Sequence, residues 1–430
     1  MDADILIVGA GIFGVSTAYH LAQQQHHDPS KITVLDRAPA PSTSAASTDI
    51  NKIVRADYSK PFYVDLAYEA MDAWNTLPFF REANVYHQTG WIMMDEKGSD
   101  LALRIRQNFR DSNREDVSAD LTEEEVRRKW GGLLAEMDAQ EYGSYYWNPS
   151  AGWADAAKAV EVMMRAATEL GVKYEVGEAA RIVYEDGAVK GVETKNGRRY
   201  MADKVLLATG AWTSQLMSTI EDELNIPEVE RVENQVTAAG VCVAHFQLSP
   251  EEAAIYRQLP VLIFGAKGEV LPPTDRDVFK FTNATSFRNT ITTKTGHKIS
   301  VPPEQEQDIV PLKLQEESIK LVRDRIPQIL EKGRKIDYYR MCWDGITPNQ
   351  SQLLTRHPDT RLSNLYFAVG GSFHSWKFLP TIGKYVVNVL DGVGNGSEKD
   401  AVWSWKNPSS LAERGAHEKV VPRRELRDLE

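Results

Sequence analysis

The sequence predicts an α/β fold built around a Rossmann-type dinucleotide-binding sheet, and three segments carry that prediction. In ILIVGAGIFGVSTAYHLAQQ a continuous apolar run, Ile5 to Val8, meets a helically spaced stretch, Val15 to Gln24, across Gly9-x-Gly11-x-x-Gly14. ITVLDR ends in an acid, Asp36. DKVLLATGAW, residues 203–212, is another buried-type strand, ending in Gly-Ala.

The first run suits a central parallel strand covered on both faces, and the second has the period of a helix packed on it. Between them Gly9 permits the tight turn, Gly11 lets backbone approach a pyrophosphate, and Gly14 lets the helix close on the strand. The helix start then offers free N–H groups and a positive dipole end to phosphates. Asp36, at the end of the second strand, is placed to accept from a ribose hydroxyl. A glycine-rich turn in some other α/β fold is the competing reading.

The segment after Asp36 separates FAD from NAD. A nicotinamide site would usually bring a second fingerprint, and none occurs. Arg37 opens a run of small residues, RAPAPSTSAAS, that includes Ser44 and is rich in backbone and hydroxyl donors. With Gly210 and Trp212 at the end of the DKVLLATGAW strand, Arg37 and Ser44 are assigned to an FAD site.

A chain of 430 residues exceeds one ordinary core, so two domains are expected. With 42% hydrophobic and 26% charged residues the composition is that of a soluble globular protein. A net charge of −11 argues against nucleic acid or an anionic membrane as partner. Cys242 and Cys342 form no framework of disulfides and no zinc spacing, so no metal is expected. The start MDADILIVGAG lacks a positive n-region, no apolar stretch reaches the roughly 20 residues of a membrane span, and RDLE is neither a peroxisomal nor an ER address. An intracellular, cytoplasmic protein is the expectation.

GAGIFG, the acid-ended second strand, TDINKIVRADY, NPSAGWADAAKAV, LLATGAW, RMCWDG and GGSFHSWKFLPTIGKYV occur in order along most of the chain. Together they resemble the monomeric sarcosine oxidase branch of the D-amino-acid-oxidase superfamily. Within it the likeness is to fungal fructosyl amino acid oxidases (amadoriases) and to L-pipecolate and L-saccharopine oxidases. The resemblance implies a flavin oxidase of secondary amines: a C–N bond is oxidised to an imine, hydride goes to FAD, and O2 is reduced to H2O2. It also implies that Cys342, in RMCW, carries the flavin through a thioether; an inert buried cysteine is the alternative. Cys242, in AGVCVAHF, reads as core or sheet. The resemblance further implies a monomer, and relatives are peroxisomal.

This chemistry calls for cations: one near the reduced flavin, one where oxygen is reduced, and a clamp on an anionic substrate. Lys52 and Arg55 lie in INKIVRADY among Ile50, Ile53 and Val54, where cations are costly unless they face a polar site. The resemblance puts Lys52 near the flavin and Arg55 on the substrate carboxylate; two solvent-facing loop residues are the alternative. In DVFKFTN, alternation sets Phe279 and Phe281 on one strand face and Lys280 on the other, and the resemblance makes Lys280 the oxygen-activating lysine. Gly371, Phe373, His374 and Lys377 lie in the GGSFHSWK run ahead of a helix that begins after Pro380. The resemblance gives Lys377 flavin and substrate-carboxylate contacts. His374 beside it reads as a residue lining the active site or as a satisfied structural histidine, and Tyr58, three residues after Arg55, as a cap on the pocket or an orienter of the substrate. No general base is evident, and desolvation can lower the amine's pKa instead.

Amadoriases carry an acidic pair shortly after the strand lysine, whereas here Lys280 is followed by Phe-Thr-Asn-Ala-Thr. That places an N-alkyl or cyclic amino acid, of sarcosine, pipecolate or saccharopine type, ahead of a glycated one. A flavin dehydrogenase and a non-catalytic flavoprotein are the rivals. Nested domains are expected: 1–85, 151–225 and 335–395 for FAD, 86–150 and 226–334 for a mostly antiparallel substrate domain, and 396–430 as a tail draped over the flavin domain or partly mobile.

Overall fold

The structure, a computed structural model, describes residues 3–304, 307–406 and 422–430. The expected fingerprint strand is Ala3–Val8, and it lies in the middle of an eight-stranded sheet. It pairs in parallel with Ile32–Asp36 on one side and with Arg199–Leu207 on the other. Ile5, Leu6, Ile7 and Val8 are all buried, as a strand covered on both faces must be. Lys173–Val176 and Leu365–Val369 extend the parallel part. The helix Ile12–Ala22 comes directly after the fingerprint turn and packs against the helices Ala156–Glu169 and Ile382–Leu390. The last of these begins two residues after Pro380.

A nine-stranded, mostly antiparallel sheet forms the second layer. Its central strands are the alternating runs of the sequence, Thr237–Gln247 and Val278–Arg288, paired so that His245 faces Lys280 across the ladder. Trp91–Glu96 joins it further along, pairing in parallel with Val261–Phe264. The charged helix Glu123–Arg128 starts at a capping box in which Thr122 and Glu125 exchange hydrogen bonds.

Two placements differ from expectation. Tyr338–Ile346, which carries RMCWDG, pairs with Thr237–Gln247 at the edge of the second sheet, so the 335–395 segment is shared between the two layers. Met341 and Trp343 are buried with Cys242 and Phe287 on one face of this strand, which leaves Arg340, Cys342 and Asp344 on the other. The end of the chain also lies on the second sheet. Arg424–Glu425 pairs with Phe287–Arg288, and Leu426 and Leu429 are buried against Phe287 and Trp343. Of the expected tail, residues 407–421 lie outside the described residues, while Trp403 of the helix Ser397–Trp403 is buried beside Tyr385 in the first layer. Asp155 precedes the helix Ala156–Glu169, and its carboxylate accepts from His87 Nε2 at 2.9 Å. No helix among the described residues is long and apolar enough to cross a membrane.

Candidate functional site

The two sheets enclose a cavity of about 1480 Å³. That exceeds the roughly 300–1,000 Å³ of an ordinary small-molecule site, which suits a dinucleotide with a second molecule beside it. One end is the fingerprint turn. Gly9 has φ +106°, and a Cβ there would meet the Ala208 carbonyl oxygen at 2.4 Å, so only glycine fits where the turn passes the 199–207 strand. Gly11 lines the cavity, whereas Gly14 sits behind it against the Gly9 carbonyl. Asp36 accepts from the Ala10 N–H at 2.7 Å, which fixes the turn to the second strand. Arg37 lies over the Trp212 ring at 4.2 Å, and both line the cavity with Ser44 and Gly210.

Cys342 is 2% exposed and opens onto the middle of the cavity. Two residues on, Asp344 accepts from the Gly345 N–H and the Phe373 N–H, each at 2.8 Å. Burial raises this carboxyl's pKa, against those two hydrogen bonds and Lys52. Asp344 thus ties the GGSF turn to the cysteine strand; a Cβ on Gly371 would meet its carboxylate at 2.6 Å. Ser372 and Phe373 both adopt positive φ there, a conformation costing on the order of 1 kcal/mol per non-glycine residue.

One group of cations surrounds Asp49, a residue whose role the sequence does not announce. Its carboxylate accepts from Lys280 Nζ at 2.6 Å and lies 3.4 Å from Lys52 Nζ, 3.9 Å from His245 Nε2 and 4.0 Å from Arg340. Lys280, 1% exposed, also donates to the Asn51 carbonyl at 2.7 Å. Phe279 and Phe281 point away from it into the core, as alternation required. Burial alone would raise the Asp49 carboxyl, but Lys280 and Lys52 outweigh it and hold it well below the usual carboxylate range. Burial pushes the Lys280 ammonium pKa down, with Asp49 opposing. Burial also opposes the Lys52 charge, yet the Cys342 sulfur and the Asp49 and Glu269 carboxylates prevail and raise its pKa. Lys52 projects from the short strand Asn51–Val54, which is held in a three-stranded sheet by Gly152–Asp155.

A second group of cations also lines the cavity. Arg55 donates to the Asp57 carbonyl and is sandwiched between Tyr58 and Trp91, 4.7 and 4.6 Å from the ring centres. Lys377 Nζ donates to Tyr58 Oη at 2.9 Å and to the His374 carbonyl. His374 Nε2 is 2.7 Å from the Gln350 carbonyl and so carries the proton, leaving Nδ1 to accept from Tyr58 at 3.1 Å. Burial, reinforced by the Arg55 charge, drives the Lys377 pKa well below its ordinary value. Of the residues singled out from sequence, all but Gly14 line the cavity. Asp49, Asp344 and Trp91 were missed. Lys280, the Phe373 N–H and Arg55, the partners that define their roles, lie 231, 29 and 36 residues away, so no local pattern marks them.

The model of the DAO family, described as FAD dependent oxidoreductase, matches residues 4–389. The chain is 28% identical to the L-saccharopine oxidase of Schizosaccharomyces pombe, over 96% of this chain and 95% of that protein. It is 23% identical to human peroxisomal sarcosine oxidase, over 89% and 90%. Among solved structures it is similar to the Aspergillus fumigatus fructosamine oxidase Amadoriase II in complex with FSA, at TM-score 0.83 and 27% identity, covering 100% of this chain and 96% of that one. The chain therefore belongs to the DAO family of FAD-dependent oxidoreductases.

Proposed function

We propose that the protein oxidises a secondary amine on an N-alkyl or cyclic amino acid to the imine, with O2 reduced to H2O2, and that it acts as a monomer. The observation that carries this reading is that one cavity gathers two groups of cations, Arg55 with Lys377 around Tyr58 and Lys52 with Lys280 around Asp49, with Cys342 also lining it. Bound FAD supplies the hydride acceptor and the route of electrons to oxygen. Arg55, held flat between two rings, offers its fork to a carboxylate, and Lys377 adds a second donor. A charged Lys52 favours negative charge on the flavin, and Lys280 serves oxygen reduction. Cys342 tethers the cofactor through a thioether. Support for an amino-acid substrate comes from the saccharopine and sarcosine oxidases among the relatives.

An amadoriase activity is the second reading, favoured by the likeness to Amadoriase II. Against it, the wall beyond Lys280 is formed by Thr282, Ala284, Thr285 and Ser286, with no acid in that stretch to meet a sugar. A peroxidase-coupled screen of sarcosine, pipecolate, saccharopine, proline and fructosyl-lysine separates the two. Turnover of fructosyl-lysine alone would overturn the first reading. Failure of every amine to bleach the flavin anaerobically would overturn both.

A further inference from the structure

We propose that Asp49 is the positioning residue of the oxygen half-reaction: it fixes the Lys280 ammonium in place and keeps it charged. This rests on the assignment of Lys280 above. Among the described residues Lys280 has two acceptors, the Asp49 carboxylate, which carries charge, and the Asn51 backbone carbonyl. A buried ammonium left with a carbonyl alone gives up its proton readily. Asp49 is itself 1% exposed and anchored by the Ile50 N–H at 2.8 Å, so the carboxylate cannot follow the lysine elsewhere.

The groups that face this pair come from every neighbouring element. Lys52 lies on Asp49's own segment, and His245 on the strand paired with that of Lys280. Arg340 is on the edge strand with Cys342, and Glu269 acts on both lysines from the strand Glu269–Leu271. His245 stacks on Tyr338 with ring centres 4.3 Å apart and has no hydrogen bond at either ring nitrogen among the described residues, so burial keeps it neutral. Asp49 is thus the carboxylate bonded directly to the cluster, with Lys52, Lys280 and Arg340 arrayed around it. The substrate clamp of Arg55, Tyr58 and Lys377 has no bond to Asp49 among the described residues. Lys52 does face Asp49 at 3.4 Å, so some loss is expected in amine oxidation and the larger loss in reoxidation.

The test is stopped-flow measurement on holoenzyme of anaerobic reduction by amine and of reoxidation by O2, across pH, for wild type, Asp49→Asn, Asp49→Glu and Lys280→Met. Removing the carboxylate lowers the Lys280 pKa further, so Asp49→Asn is expected to reoxidise more slowly at alkaline pH, by about tenfold or more, the range for one lost charge-assisted hydrogen bond. It should recover at lower pH and lose less in anaerobic reduction than in reoxidation. The visible spectrum of the resting enzyme, titrated with pH, should show the same displaced midpoint without turnover. Asp49→Glu keeps the charge and should keep the wild-type midpoint; if Asp49→Asn does not fold, a displaced midpoint in Asp49→Glu overturns the proposal. An unchanged midpoint in Asp49→Asn, or equal loss in both half-reactions, does the same. If Lys280→Met reoxidises like wild type, it is instead the assignment of Lys280 that fails.

Discussion

With Lys377 assigned to the substrate carboxylate as proposed, its depressed pKa predicts that carboxylate binding takes up a proton. In the free protein, burial and the Arg55 charge favour the neutral amine. A carboxylate about 4 Å from Nζ attracts the ammonium by about 4 kcal/mol at an effective dielectric of about 20, which raises its pKa. Between the free and the bound pKa, each binding event must therefore draw one proton from buffer. Below the free pKa, affinity is independent of pH; above it, affinity falls about tenfold per pH unit until the bound pKa is reached. The assay is calorimetric titration with cyclohexanecarboxylate, a pipecolate analogue without the amine, in buffers of different ionisation enthalpy. Wild type should take up close to one proton between the free and the bound pKa. Lys377→Met should take up none and bind about 10- to 100-fold more weakly at the acid end, the range for one lost charge-assisted hydrogen bond. A wild-type affinity flat in pH with no buffer dependence would refute the reasoning, because Lys377 would then be charged before the ligand arrives or would not touch it.

Cys342→Ala should bind FAD that appears in the supernatant after acid precipitation, whereas wild-type flavin should stay with the pellet; a yellow wild-type supernatant removes the tether. Gly9→Ala forces a Cβ to 2.4 Å from a carbonyl oxygen at φ +106°, so flavin content should fall and stability drop by about 1–3 kcal/mol, measured by flavin-to-protein ratio and denaturant melts. Leu429→Ala, at a position 1% exposed beside Leu426, should destabilise by about 2–5 kcal/mol in the same melts. His357 is buried with its pKa lowered to about 4 by burial, against 6.5 when free. Because the unfolded chain binds the proton first, stability from this group is complete above pH 6.5 and lost as pH falls to about 4. The loss is about 3 kcal/mol, and His357→Gln should flatten that part of the acid-stability curve.

The parts of this site that could be read from sequence are those whose chemistry is spelled out over a few residues. The fingerprint is one strand, one turn and one helix start, so Gly9 and Gly11 announce their roles locally. Lys280 was legible because a strand's period of two separates it from Phe279 and Phe281, and the same period turns Cys342 to the cavity while Met341 and Trp343 enter the core. Asp49 was illegible for a complementary reason. In STDIN an acid after small polar residues reads as a turn, and nothing near it in the chain says that Lys280, 231 residues later, will be its partner. Asp344 was hidden in the same way: its role is to hold the Phe373 N–H, 29 residues on, and the cysteine two positions earlier is the more conspicuous residue of its segment. The boundary between layers was misplaced because 338–346 is as apolar on its core face as any strand of the nucleotide sheet, and only pairing with Thr237–Gln247 decides where it belongs. The two missed carboxylates share a physical cause. A buried carboxylate must be compensated, and the compensating groups come from strands brought together by the sheet, so cations in apolar runs can be suspected from sequence while the acids that discipline them emerge only from the fold.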